Sequence, residues 1–183
     1  MNLVLYPDKS IQSFQLLWPL VEKDCNSSRW VYPTIIAEVS LSKKLKSLHF
    51  LMERYFSERI TIQVYIAIKI FGHHKNKTYF LVAFVYEHIN PNPRRPTLVK
   101  SFGIALMHRR SVRFFISKGV SNHNITGFGR FLAPSCNSSG IPIYQINIPA
   151  AAIFHGSNIA IPNNLVNGFN LDLYKLQRKA LLF

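Results

Sequence analysis

Branched aliphatic residues recur at every second position from Ile60 to Ile70. Ile60, Ile62, Val64, Ile66, Ile68 and Ile70 face off against Thr61, Gln63, Tyr65, Ala67 and Lys69. A period of two over that length predicts a strand. Just upstream, "LSKKLKSLHFLMERYFSER" places Leu41, Leu45, Leu48, Leu51 or Met52, and Tyr55 at helical spacing, with Ser42 as the expected N-cap. Before that, "RWVYPTIIAEVS" reads as a strand from Thr34 to Ser40, with Pro33 at its start. Strand, helix, strand at this spacing predicts a βαβ unit with parallel strands.

The pattern continues through "GHHKNK", a turn, into "TYFLVAFVYEH", a third strand expected to form a hairpin with the second. "INPNPRRP" is a Pro-rich loop. "TLVKSFGIALM" and "RRSVRFFISKG" read as two further strands joined around "HRR". "VSNHNITGFGRFLAPSCNSSG" is a polar connection, in which "TGFGRF" is turn chemistry around two glycines. "IPIYQINIPAAAIFHG" contains a last short strand followed by a turn or short helix. "FNLDLYKLQRKALLF" reads as a helix capped by Asn170, with Asp172 in its first turn. Near the start, "SIQSFQLLWPLVEKD" suits a short helix behind Ser10, against which Pro19 counts. With no internal repeat or linker, the expected architecture over residues 1–183 is a single α/β domain, a mixed sheet with helices packed against it.

Charge changes the picture more than length does. The chain carries 22 Lys and Arg against 8 Asp and Glu, a net charge of +14, with a sequence pI of about 10.1. That balance points to a polyanionic partner, nucleic acid ahead of an acidic membrane surface. From His88 to Leu171 there is no acidic residue at all. The expected nucleic-acid contacts in that span are Arg94, Arg95, Lys100, Arg109, Arg110, Arg113 and Arg130, against the plainer reading of solvated strand ends. Cys25 and Cys136 are the two cysteines, too far apart in sequence for a disulfide framework or a metal motif. No secretory signal and no membrane-length apolar run is evident, so an intracellular protein of cytoplasm or nucleus is expected.

Within "PTIIAEVS", Glu38 interrupts an apolar, β-branched strand. A carboxylate in that setting must be paired, hydrogen-bonded, bound to a cation or protonated. Elsewhere, His73 and His74 lie in a turn without ligand spacing, and His108 beside Arg109 and Arg110 is placed for a phosphate contact or a plain exposed turn. Tyr65 and Trp30 are stacking candidates that such sequences more often bury.

"YPTIIAEVSLSKKLKSLHFLMERYF…ITIQVYIAIKIF" resembles the PD-(D/E)XK nuclease superfamily, in its restriction endonuclease-like branch. "IPIYQINIPAAAIFHG…FNLDLYKLQRKALL" is similar to the closing segment of the fungal members. The resemblance implies a restriction-endonuclease-like mixed sheet flanked by helices, with two carboxylates at one edge holding Mg2+ or Mn2+ and a lysine beside them. Glu38 matches the central acid of that motif. The position two residues on, where the lysine usually stands, is Ser40. Lys43, Lys44, Lys46 and Lys69 are nearby cations, Lys69 being placed to supply the displaced charge or to pair with Glu38. Asp24 stands in for the second acid, with Asp8 a two-letter alternative. The stretch before residue 30 is short for this architecture, which implies a shortened or degenerate copy. The implied function is metal-dependent phosphodiester hydrolysis of DNA, with a catalytically inactive nucleic-acid- or protein-binding module as the alternative.

Overall fold

The structure, a computed structural model, describes residues 34–56, 61–72, 78–155 and 160–180. Strand β1 (Ile35–Ser40) leads through helix α1 (Leu45–Tyr55) to β2 (Val64–Phe71), and then come β3 (Phe80–Glu87) and β4 (Leu98–Gly103). Helix α2 (Arg109–Ser117) connects β4 to β5 (Ile125–Gly127). These strands form one five-stranded sheet in the order β1-β2-β3-β4-β5. β1 pairs parallel with β2, β3 runs antiparallel to both of its neighbours, and β4 pairs parallel with β5. A second, two-stranded antiparallel sheet joins β6 (Gln145–Ile148) to β7 (Phe169–Asp172), with the short helix α3 (Ala150–Ile153) between them and α4 (Leu173–Ala180) after β7. The chain is thus an α/β fold, a mixed sheet flanked by helices, in an arrangement that many α/β families share.

Both faces of the large sheet are covered, and the two cores have different makers. Val64, Ile66 and Ile68 of β2, with Ile35 and Ala37 of β1, pack against Ile146, Ile148, Leu171, Leu173 and Leu176 of the β6–β7 and α4 layer. Tyr65 and Ala67, with Ile36 of β1 and Phe84 and Tyr86 of β3, pack instead against Leu48 and Met52 of α1 and Phe115 of α2. The alternation in β2 therefore separates two buried faces rather than a buried one from a wet one. β3, at the centre, is buried along its whole length except Glu87, as an unbroken apolar run requires. Tyr65 accordingly belongs to the core and is not available to stack on a base.

Residues 109–117 are helical, where the sequence reads as a strand. The aromatic and β-branched content of "RRSVRFFIS" favours extended backbone locally. The parallel pairing of β4 with β5 overrides it, because a parallel connection must cross over the sheet. As a helix the segment turns Ser111 and Phe115 inward and leaves Arg109, Arg110 and Arg113 exposed.

Two helix starts also differ from expectation. α1 begins at Leu45 behind Lys44, and no side chain caps it. Ser42 does not serve; instead Lys43 donates its backbone N–H to Ser40 Oγ at 2.9 Å, closing the turn that leaves β1. Asn170 is a β7 residue opposite Asn147, and Asp172 does the capping: its Oδ1 accepts the Tyr174 N–H at 2.9 Å and its Oδ2 the Gly140 N–H at 3.0 Å. Burial alone would raise the Asp172 carboxyl. Hydrogen bonds from Ser139, Gly140, Gln145 and Tyr174 outweigh it and hold the group below its ordinary value.

At the far edge, the tight approach of β5 to β4 depends on Gly127. It has φ of +98°, and a Cβ there would lie 1.9 Å from the Ser101 carbonyl oxygen. The turn expected at "TGFGRF" follows, with Arg130 N–H donating to the Gly127 carbonyl at 2.9 Å.

The helical register of α2 has a direct consequence for stability. Phe115 is fully buried with its ring edge-on to Phe84 at 5.2 Å, so Phe115→Ala should cost about 3–5 kcal/mol in urea unfolding. Ile116, 46% exposed, should lose well under about 1.5 kcal/mol as Ala. Comparable losses at both positions would contradict this packing.

Candidate functional site

Glu38 and Ser40 project from the same face of β1, two residues apart. Across the parallel pairing Ser40 stands opposite Lys69, and Glu38 opposite Ala67, so Glu38, Ser40 and Lys69 share the α1 side of the sheet at the carboxyl end of two adjacent strands. All three are buried. The charge at Glu38 is met by Lys43, whose Nζ forms an ion pair and hydrogen bond with Glu38 Oε1. Lys69 is not that partner. Its ammonium donates to the Leu41 carbonyl and lies 5.3 Å from the centre of the Phe71 ring. Desolvation lowers its pKa from the ordinary lysine value. The turn that Ser40 closes carries Lys43 back over β1, which is how a lysine five residues on reaches the carboxylate.

Two phenols border the cluster. Tyr65 Oη donates to the Leu48 carbonyl at 3.0 Å, joining β2 to α1. Burial, and then the negative charge of Glu38, raise the pKa of both Tyr65 and Tyr55. Each stays protonated at neutral pH. Next along α1, buried His49 shares a hydrogen bond with Tyr86 Oη at 2.7 Å. Burial, followed by the nearby Lys118 cation, lowers its pKa, so His49 is neutral at pH 7.

The resemblance implies a divalent metal, which takes oxygen ligands. Glu38 is the carboxylate in this cluster, and an ammonium already answers its charge. Among the described residues, no three His, Cys, Asp or Glu side chains come together. That set by itself does not fit a resident magnesium or manganese ion. Asp24, the second expected ligand, lies outside the described residues, as do Asp8, Trp30, the expected N-terminal helix and the His73–His74 turn.

The expected nucleic-acid contacts divide into three groups. Arg109, Arg110 and Arg113 are exposed on α2. Arg94 and Arg95 are exposed in the β3–β4 loop, Arg94 Nε lying 3.6 Å from Glu53 of α1. Lys100 and Arg130 are spent internally. Lys100 faces the opposite side of the sheet, where its ammonium donates at 2.7 Å to both the Ile143 and Gln145 carbonyls and so staples β4 to the segment leading into β6. Desolvation lowers its pKa. Arg130 donates to the Asn122 side chain at 2.5 Å and to the Ile125 carbonyl at 3.3 Å.

Other cations extend the first group. Lys43, Lys44, Lys46 and Arg54 lie on α1 or the turn before it, all exposed, with Glu53 the single acid of the helix. Lys118, at the end of α2, approaches the rings of Phe50 and Phe114 at 5.9 and 6.0 Å, and Lys46 approaches Phe50 at 5.6 Å. The α1–α2 layer is therefore a basic surface with a partly exposed aromatic seam. Reading residues 109–117 as a strand hid this layer. The Lys46–Phe50 and Phe114–Lys118 spacing of four was the available signal.

Comparison of the chain with protein-family models, with curated proteins and with solved structures finds no match.

Lys43 and Glu38 are unequally buried, with side chains 44% and 8% exposed. Removing the lysine strands a buried carboxylate, whereas removing the carboxylate leaves a lysine that can reach water. Lys43→Met should therefore destabilise by about 1–3 kcal/mol, and Glu38→Gln by distinctly less. Equal losses, or a larger one for Glu38→Gln, would remove Lys43 as the group that compensates this carboxylate.

Proposed function

We propose that this α/β domain binds nucleic acid, DNA ahead of RNA, through the outer surface of α1 and α2. The carrying observation is that both helices cover the same face of the sheet and that Lys44, Lys46, Arg109, Arg110 and Arg113 stand exposed on it, with Glu53 the one acid on either helix. Phosphates neutralise such cations and release condensed counterions. The match is one of charge and breadth, with no base-reading geometry invoked. Duplex binding should therefore be salt-dependent and weakly sequence-selective.

The test separates a docking face from diffuse attraction. Arg109→Gln, Arg110→Gln and Arg113→Gln together should reduce the slope of log K against log salt by about two to three. A charge-matched control replaces Lys175, Arg178 and Lys179, exposed on α4 and packed against the opposite face of the sheet. That control should change the slope by less than one contact's worth, about 0.9. Equal effects of the two triple variants would leave the α1–α2 face without a special role.

One observation favours a second reading, metal-dependent hydrolysis of a phosphodiester. Glu38, Ser40 and Lys69 share a face at the carboxyl end of two neighbouring parallel strands, with a lysine across from the position where the resembling family keeps its own. The described residues lack a second acid there, so this reading needs Asp24. It predicts nicking of supercoiled plasmid only in the presence of magnesium or manganese, abolished in Glu38→Ala. Nicking that persists in that variant would take Glu38 out of the chemistry.

A further inference from the structure

Beyond β5 the chain does something costly. Phe131 and Leu132 are consecutive non-glycine residues in left-handed backbone, with φ of +49° and +58°. This region is sparsely used by L-residues and persists only where the surroundings impose it. The conformation presents the two side chains outward: Phe131 is 58% exposed and Leu132 102%. The segment is also tied down. Arg130 N–H bonds the Gly127 carbonyl at 2.9 Å and Ala133 N–H the Arg130 carbonyl at 3.0 Å. The Arg130 guanidinium is anchored on Asn122 and Ile125.

The Phe131 ring already belongs to a stack. His123 lies nearly parallel to it, with ring centres 5.6 Å apart and 20° between planes, and the Arg130 guanidinium is 5.6 Å from its centre. A single exposed apolar side chain is ordinary. An aromatic ring held out on a strained backbone, stacked on a second ring and flanked by a fixed cation, has a more particular use. The partner that suits it carries flat π faces and negative charge together. The same loop packs Gly129 onto Leu106, in the segment that leads into α2 with its exposed arginines, and no acidic residue occurs from His88 to Leu171.

We infer that Phe131, with His123, forms a stacking platform for an unpaired nucleobase, so that single-stranded segments are preferred over duplex at the β5 edge. This rests on the nucleic-acid reading of the α1–α2 face and adds a substrate class to it. Base–aromatic stacking tolerates any base, whereas paired bases in a duplex offer no free face to Phe131.

The experiment measures binding of a 12-nucleotide single strand, as DNA and as RNA, and of the corresponding DNA duplex, by fluorescence anisotropy. Proteins are the wild type, Phe131→Ala, Phe131→Tyr and His123→Ala. Phe131→Ala should weaken single-strand binding about tenfold, with duplex affinity and salt slope unchanged. Phe131→Tyr, which keeps a ring, should restore the affinity, and His123→Ala should fall between. In a strand carrying 2-aminopurine, the fluorescence should be quenched by wild type and not by Phe131→Ala. Losses shared equally by strand and duplex, or no loss in Phe131→Ala, would overturn the platform while leaving the basic face intact. A wild type that binds neither strand nor duplex at low salt would overturn both. Retention of the wild-type melting temperature by Phe131→Tyr keeps the test valid should the alanine variant fail to fold.

Discussion

Parallel strand pairing is the constraint from which the rest of this molecule follows. A chain that leaves one strand and returns parallel to it must cross the sheet, and here it does so twice, through α1 between β1 and β2 and through α2 between β4 and β5. Both crossovers lie on the same face, where Leu48, Met52 and Phe115 share one core with the strands. The opposite face is sealed by the β6–β7 sheet and α4. Two helices chosen for their apolar inner stripes thereby bring their outer stripes together. Those stripes are basic, so a topological requirement becomes an electrostatic surface.

The same geometry explains the lone carboxylate of β1. Glu38 sits on the helical side of an edge strand, close to where the chain turns into α1. Lys43, delivered by that turn, meets its charge. Ser40 fixes the turn and Lys69 braces it from β2 through the Leu41 carbonyl. The cluster is thus a structural joint between β1, β2 and α1, whatever chemistry a further acid would add.

Much of this was legible in the order of residues. Period-two alternation located β2, and helical spacing located α1. Their sequence predicted the parallel pair, and the apolar run of β3 was read as a third strand in a hairpin with β2, as the structure has it. Residues 109–117 resisted a local reading because aromatic and β-branched side chains state a local preference, whereas the helix is imposed by the parallel pairing of Val99 with Ile125, 26 positions apart. At the site, the anomaly of Glu38 was plain but its partner was not. Lys69 lies on the neighbouring strand and looked the natural mate, while a contact formed across a turn at a spacing of five follows neither the helical nor the strand period. Lys100 and Arg130 looked like surface cations for want of knowing which backbone carbonyls they would meet. Phe131 was invisible for a related reason, since nothing in its composition announces two successive left-handed residues.

Amide hydrogen exchange with and without a short DNA fragment distinguishes docking on the α1–α2 layer from docking elsewhere. Protection should increase along α1, α2 and the turn from Leu41 to Lys44, and remain unchanged in β6, β7 and α4. Protection confined to α4 and the β6–β7 sheet, or no change anywhere at a concentration of DNA that binds, would rule out the α1–α2 layer as the docking face.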